Sequence, residues 1–146
     1  MFVSIGNSRM DKKFNCTDMT YEDFVSRLSK TKYTAETMEQ YRKMPKGQQD
    51  NIKDVGGFVL GKLKGGRRKK DCVISRSAIT LDMDYGTQGI IDELEMFFDM
   101  KMVVYSTHKH TPEKPRLRII IFLTRDVTPD AVSYTHLRAH ETVLDL

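Results

Sequence analysis

An α+β fold is predicted, an open-faced antiparallel sheet with helices on one side, and three observations point to it. An apolar, β-branched run at 73–83 is followed by an amphipathic stretch carrying Ile90, Ile91, Leu94, Phe97 and Phe98, and then by two more strand-like runs, 102–107 and 117–123. The order β-α-β-β belongs to many two-layer sandwiches. Hydroxyl residues stand ahead of the helical stretches, where they cap free N–H groups. Finally, 146 residues at 39% hydrophobic and 30% charged suit one domain large enough to bury a core. Helices on one face leave the other for ligands, so functional side chains are expected on the sheet.

Taken in order, Phe2-Val3-Ser4-Ile5 reads as an opening strand ended by Gly6, and 9–15 as a polar loop. Thr20 offers a cap with Asp23 three residues on, and Phe24 and Leu28 share a face, which predicts a helix over 21–29. Thr34 is assigned the same role for a helix over 35–44, striped by Met38, Tyr41 and Met44 and halted by Pro45. Residues 46–53 are polar and read as a connection. Gly56-Gly57 opens a strand of Phe58, Val59 and Leu60, which Gly65-Gly66 closes. Thr87 is placed as the cap of the helix after 73–83, and a turn-rich loop with Pro112 and Pro115 separates the last two strands.

Lys and Arg number 24 against 20 Asp and Glu, a formal charge of +4. The longest apolar run, 119–123, is too short to span a bilayer, and no basic leader precedes an apolar stretch, so a cytoplasmic location is expected. Cys16 and Cys72 lie far apart and read as reduced thiols. Residues 133–146 read as a non-native, adaptor-derived tail, leaving 1–132 as the domain. That tail holds Arg138 against Glu141 and Asp145, so the basic character belongs to the body.

Leu81-Asp82-Met83-Asp84 is the first chemical candidate. Alternation turns Ile79, Leu81 and Met83 to the core and Thr80, Asp82 and Asp84 outward, with the two carboxylates about 7 Å apart at Cα. At an effective dielectric near 20, two unit charges so placed repel by about 2 kcal/mol, which asks for a cationic neighbour. Divalent metal, as in nucleotidyl transfer, would answer it; solvated carboxylates at a strand end are the plain alternative. Ser106-Thr107-His108 ends the next strand, with Ser106 and His108 on one face. Among Lys109, His110 and Lys114, His108 is expected to be exposed, suited to a phosphate or, with His110, to a metal. Arg116 and Arg118 share a face opposite Leu117, Ile119 and Ile121, ready for phosphate oxygens or for surface acids. Lys62, Lys64, Arg67, Arg68, Lys69 and Lys70 crowd around Gly65-Gly66, either a solvated turn or, with Arg76 extending it, a basic surface for nucleic-acid phosphates. Acids for metal, with imidazole and guanidinium for phosphate, on three consecutive strands make up a nucleotide site.

Ser75-Arg76-Ser77, Ile79-Thr80-Leu81-Asp82-Met83-Asp84 and Tyr105-Ser106-Thr107-His108-Lys109-His110-Thr111-Pro112-Glu113-Lys114-Pro115-Arg116-Leu117-Arg118 stand in an order that resembles the archaeo-eukaryotic primase superfamily. More narrowly, residues 2–130 are similar to the N-terminal primase-polymerase domain of phage and prophage replication proteins of the virulence-associated E type. The resemblance implies an RRM-like palm, incomplete at its C-terminus, that adds nucleotides to a 3′-hydroxyl on a DNA template by two-metal catalysis. It implies Asp82 and Asp84 as ligands of Mg2+ or Mn2+, and His108 as a catalytic, nucleotide-binding residue. Ser106, Arg116 and Arg118 are then further contacts to a nucleoside triphosphate, and Arg67, Arg68, Lys69, Lys70 and Arg76 face the template. A helicase region in the full-length protein, a bacterial host cell and no membrane partner are implied as well. The family's third carboxylate lies on a later strand. Glu93, Glu95 and Asp99 on the helix and Asp126 at the far strand end are poor substitutes, so the chain reads as truncated and inactive alone. Two rivals are a rolling-circle nicking endonuclease, for which Lys109 is wrong between the histidines and Tyr134 lies in the tail, and a non-catalytic nucleic-acid-binding module, for which Tyr105 is too little aromatic surface.

Overall fold

The structure, a computed structural model, describes residues 1–97 and 99–131. Phe98 and the segment read as a tail lie outside the described residues. Phe2–Gly6 (β1) is the central strand of the first sheet, with Val3 and Ser4 both buried, and is flanked by antiparallel Asn15–Asp18 (β2) and Gly57–Leu60 (β3) in the order β2-β1-β3. Between them run helices Tyr21–Leu28 (α1), Met38–Lys43 (α2) and Lys46–Ile52 (α3). The second sheet holds Arg76–Met83 (β4), Met102–Ser106 (β5) and Leu117–Val127 (β6), with helix Ile90–Phe97 (α4) between β4 and β5. Its order is β4-β6-β5, and β6 is antiparallel to both neighbours. β4 and β5 therefore run parallel, joined through α4 with the last strand inserted between them, a split β-α-β arrangement.

Three expectations give way to local chemistry. α2 is capped by Thr37, not Thr34: the Thr37 hydroxyl accepts from the Gln40 N–H at 3.2 Å while the Gln40 side chain accepts from the Thr37 N–H at 2.8 Å, a reciprocal box that fixes the first turn. α3 occupies the polar stretch expected to be a connection, and β2 forms within a segment without apolar alternation because the β1 edge offers it a ladder. The Thr20 cap is found as expected, its hydroxyl accepting from the Asp23 N–H at 3.1 Å. Cys16 and Cys72 are both free.

The two sheets meet over one core of Val3, Phe24, Leu60, Ala78 and Ile120. Phe24 of α1 lies edge-on to Phe58 of β3 (5.1 Å between centroids) and Phe122 of β6 (6.1 Å), and so ties helix and both sheets together. Ser4 and Ser77 are buried with their hydroxyls satisfied, donating to Gly61 O at 2.9 Å and to Asp126 at 2.8 Å. Gly61, with φ of +142°, passes so close to Ser75 O that a Cβ would come within 1.9 Å of it. Glycine is required where the sheets join.

The expected open face is found only in part. Register pairs Asp82 with Arg118 and Tyr105, Thr80 with Ile120 and Val103, and Ala78 with Phe122, so all of these share one face. Ile120 and Ala78 on that face are buried in the core against α1 and the first sheet, whereas Asp82 and Asp84 are exposed. Leu117 and Ile119 on the other face are buried too. The polar residues thus occupy one end of a sheet that is apolar on both faces farther along. No helix among the described residues is long and apolar enough to cross a membrane.

Candidate functional site: an acid–arginine pair of pairs

At that polar end, Arg118 Nε donates to Asp82 Oδ1 at 2.6 Å and Arg116 Nε to Asp84 Oδ1 at 3.0 Å, and Arg116 Nη2 also contacts Asp84 Oδ1. The pairing follows from β4–β6 register, which sets Asp82 directly opposite Arg118. The two arginines are the cationic neighbours that the carboxylates required. About half of each carboxylate side chain is accessible, and Oδ2 of each makes no hydrogen bond among the described residues. The Asp82 hydrogen bond raises the Arg118 guanidinium further above its already high range, against the opposing effect of burial. Tyr105 flanks Arg118 from β5. Burial pushes its phenol up, against the lowering influence of Arg118. Sequence reading gave Tyr105 no place in the site; its parity with Arg118 becomes visible only once the β5–β6 register is known.

Ser106 and His108 part company with this cluster. Ser106 pairs with Leu117, which pairs with Met83, so the register places it on the face opposite Asp82 and Arg118 instead of sharing theirs. His108 lies beyond β5, half-buried, with its ring 4.3 Å from the Tyr41 ring of α2 and Nε2 3.7 Å from Glu36 Oε1. Its expected exposure is therefore corrected: the segment before α2 folds over it. Glu36 was missed, having no local signal. Its Oε1 is buried without a hydrogen bond. The Thr34 hydroxyl and the Glu36 amide, and then His108, hold its carboxyl below the usual range, while desolvation opposes them. A buried acceptor of this kind is tolerable beside an imidazole and costly without one. His108→Ala is accordingly expected to lower the midpoint of urea unfolding, and Glu36→Gln in the same chain to recover part of the loss. Strictly additive effects would disconnect the two side chains. His110 has a separate task, its Nδ1 accepting the Arg116 N–H at 3.2 Å across the β5–β6 loop.

As a place for Mg2+ or Mn2+, the two carboxylates offer hard oxygen donors, the chemistry such ions prefer. Among the described residues no group of three acids, histidines or cysteines converges. Asp126, at the far end of β6, accepts from Ser75 and Ser77. The fit is to an ion that takes one or two carboxylates and completes its shell with water and phosphate oxygens. Of the basic residues, Lys62 lies over the Phe2 ring, while Arg67, Arg68, Lys69, Lys70 and Arg76 line two adjoining hollows near the start of β4. Arg76 and Asp82 are six residues apart on one strand, about 20 Å. The basic surface and the acid–arginine cluster therefore occupy opposite ends of β4.

No curated protein and no solved structure matches this chain. A family model, the VapE N-terminal domain, matches residues 1–141. With nearly the whole chain covered by that match, the protein belongs to the VapE N-terminal domain family.

Proposed function

We propose that this chain is part of a replication primase-polymerase that transfers nucleotides from NTP or dNTP to a 3′-hydroxyl on a DNA template, phage- or prophage-encoded and working in the host cytoplasm beside a helicase region. The observation that carries the reading is the alternation of two exposed carboxylates with two guanidinium groups on adjacent strands. Asp82 and Asp84 would hold Mg2+ or Mn2+, which supplies charge neutralisation and alignment for phosphoryl transfer when bound. Arg116 and Arg118 present planar N–H forks suited to phosphate oxygens, and Tyr105 backs Arg118 so that its fork keeps one orientation. Each exposed ion pair is worth about 0–1 kcal/mol, so carboxylates and triphosphate compete for the arginines, and a cation that takes the carboxylates tips the competition toward the phosphates.

His108, steadied by Glu36 and Tyr41, would contact the nucleotide from the side of α2, whereas Ser106, on the opposite face of the sheet, stays outside the site. The basic loop and Arg76 would hold the template. Support for the nucleotide role comes from chemistry and from the family, and its test is binding. Arg118→Ala is expected to weaken triphosphate affinity about tenfold to a hundredfold, the worth of one charge-assisted hydrogen bond. Equal affinity of the variant and the parent in an equilibrium assay would remove Arg118 from the site.

A further inference from the structure

The basic loop between β3 and β4 is closed at its neck by the Leu63–Val73 bridge and by the Ile74 N–H donating to Lys62 O at 2.8 Å. The β1–β2 loop docks against it. Lys13 bridges Arg67, the Phe14 N–H donates to Gly66 O at 2.7 Å, and the Arg68 guanidinium lies 5.5 Å from the Phe14 ring centre. Gly66 has φ of +68°, and a Cβ there would come within 2.4 Å of Phe14 O, so this junction needs glycine. The docked loop is itself fixed by Asp54, which accepts from the Ser8 hydroxyl at 2.6 Å and the Arg9 N–H at 2.8 Å.

Two hollows flank the junction. The smaller, about 290 Å³, has Arg68, Lys69, Lys70 and Arg76 around apolar Val59 and Val73. The larger, about 640 Å³, shares Arg68 and Lys69 with it and adds Arg9, Lys12 and Lys13 from the β1–β2 loop. Arg76 is half-buried, and its guanidinium makes no hydrogen bond or ion pair among the described residues. A partly dehydrated cation without a counter-ion is unfavourable until an anion completes it.

We propose that the smaller hollow binds the terminal phosphate of a nucleic-acid strand whose following nucleotides lie in the larger hollow, a site separate from the acid–arginine cluster. It rests on the nucleic-acid reading given above. Size and charge both favour a terminus over an internal linkage. The smaller space is at the low end of ligand pockets, the size of one nucleotide-sized group. A terminal phosphate carries about −1.5 to −2 near neutral pH, against −1 for a diester, and four cationic residues line the hollow. Val59 and Val73 give the sugar or base edge an apolar surface to lie on.

The test uses the 146-residue chain and three internally labelled single strands of one sequence, ending in 5′-phosphate, in 3′-phosphate or in hydroxyls at both ends. In fluorescence anisotropy, one phosphorylated strand is expected to bind about tenfold tighter than the hydroxyl-ended strand, one charge-assisted contact's worth. Arg76→Gln should bring the phosphorylated strand down to the affinity of the hydroxyl-ended strand, Arg76→Lys should keep part of the gain, and Lys12→Ala with Lys13→Ala should weaken all three strands alike. Equal affinity for the three strands, or a gain that survives in folded Arg76→Gln, would overturn the terminal-phosphate site while leaving strand binding intact. Absence of binding to any strand would overturn the nucleic-acid reading beneath it as well.

Discussion

With Asp82 and Asp84 both changed to Asn, triphosphate binding is expected to lose its dependence on divalent cation. Without cation, the parent's carboxylates occupy the guanidinium groups that the phosphates need, Arg118 at 2.6 Å and Arg116 at 3.0 Å. With cation, the carboxylates have a better partner and the arginines are released to the phosphate oxygens. The parent should therefore bind triphosphate at least about tenfold tighter in Mg2+ than in chelator, one charge-assisted hydrogen bond or more. In the double variant neither effect operates. Its arginines are free in both conditions, so its affinity in chelator should exceed the parent's while its affinity in Mg2+ falls to the same value. Calorimetric titration in the two buffers measures all four numbers. A double variant that keeps the tenfold cation effect would show that the ion is held elsewhere.

The largest expected loss of stability follows Phe24→Ala. Phe24 is fully buried at the centre of the core and touches the rings of Phe58 and Phe122, one in each sheet. Truncating a buried phenylalanine costs about 3–5 kcal/mol, transfer and cavity together. Against a typical total of about 5–15 kcal/mol, that is enough to leave the chain marginal. The effect bears on the site because β6 carries both Phe122 and Arg118, with Arg116 immediately before it. Urea unfolding should show the midpoint falling steeply, and a loss under about 1 kcal/mol would mean that α1 does not join the sheets, since even modest core truncations usually exceed that.

What the sequence showed and what it concealed divide along the range of the interactions involved. Thr20 with Phe24 and Leu28, Gly6 ending β1, and the β-α-β-β order are local signals, and each is found. Thr37 was legible as well, since Gln40 stands three residues after it, but Thr34 offered a competing hydroxyl and was preferred. α3 lacks an apolar stripe and β2 lacks alternation, so neither leaves a periodic trace; β2 exists because β1 has an edge to pair. The insertion of β6 between β4 and β5 is a long-range choice, and the parities of Ser106 and Tyr105 depend on it. Alternation correctly turned Asp82 and Asp84 outward yet hid the burial of Ile120 and Ala78 on the same face, which only the packing of the first sheet reveals. Glu36 reaches His108 from 72 positions away in the chain, with nothing nearby to announce it.

The most direct test of the acid–arginine cluster as a cation and triphosphate site is a titration of the isotopically labelled chain with sub-stoichiometric Mn2+ and triphosphate, read by paramagnetic broadening of backbone amides. Broadening is expected to centre on residues 81–85 of β4 and its end, with 116–118 at the start of β6 next, and to vanish when Asp82 and Asp84 are both Asn. Broadening centred on the basic loop, on His108 and Glu36, or spread evenly over the chain would contradict it.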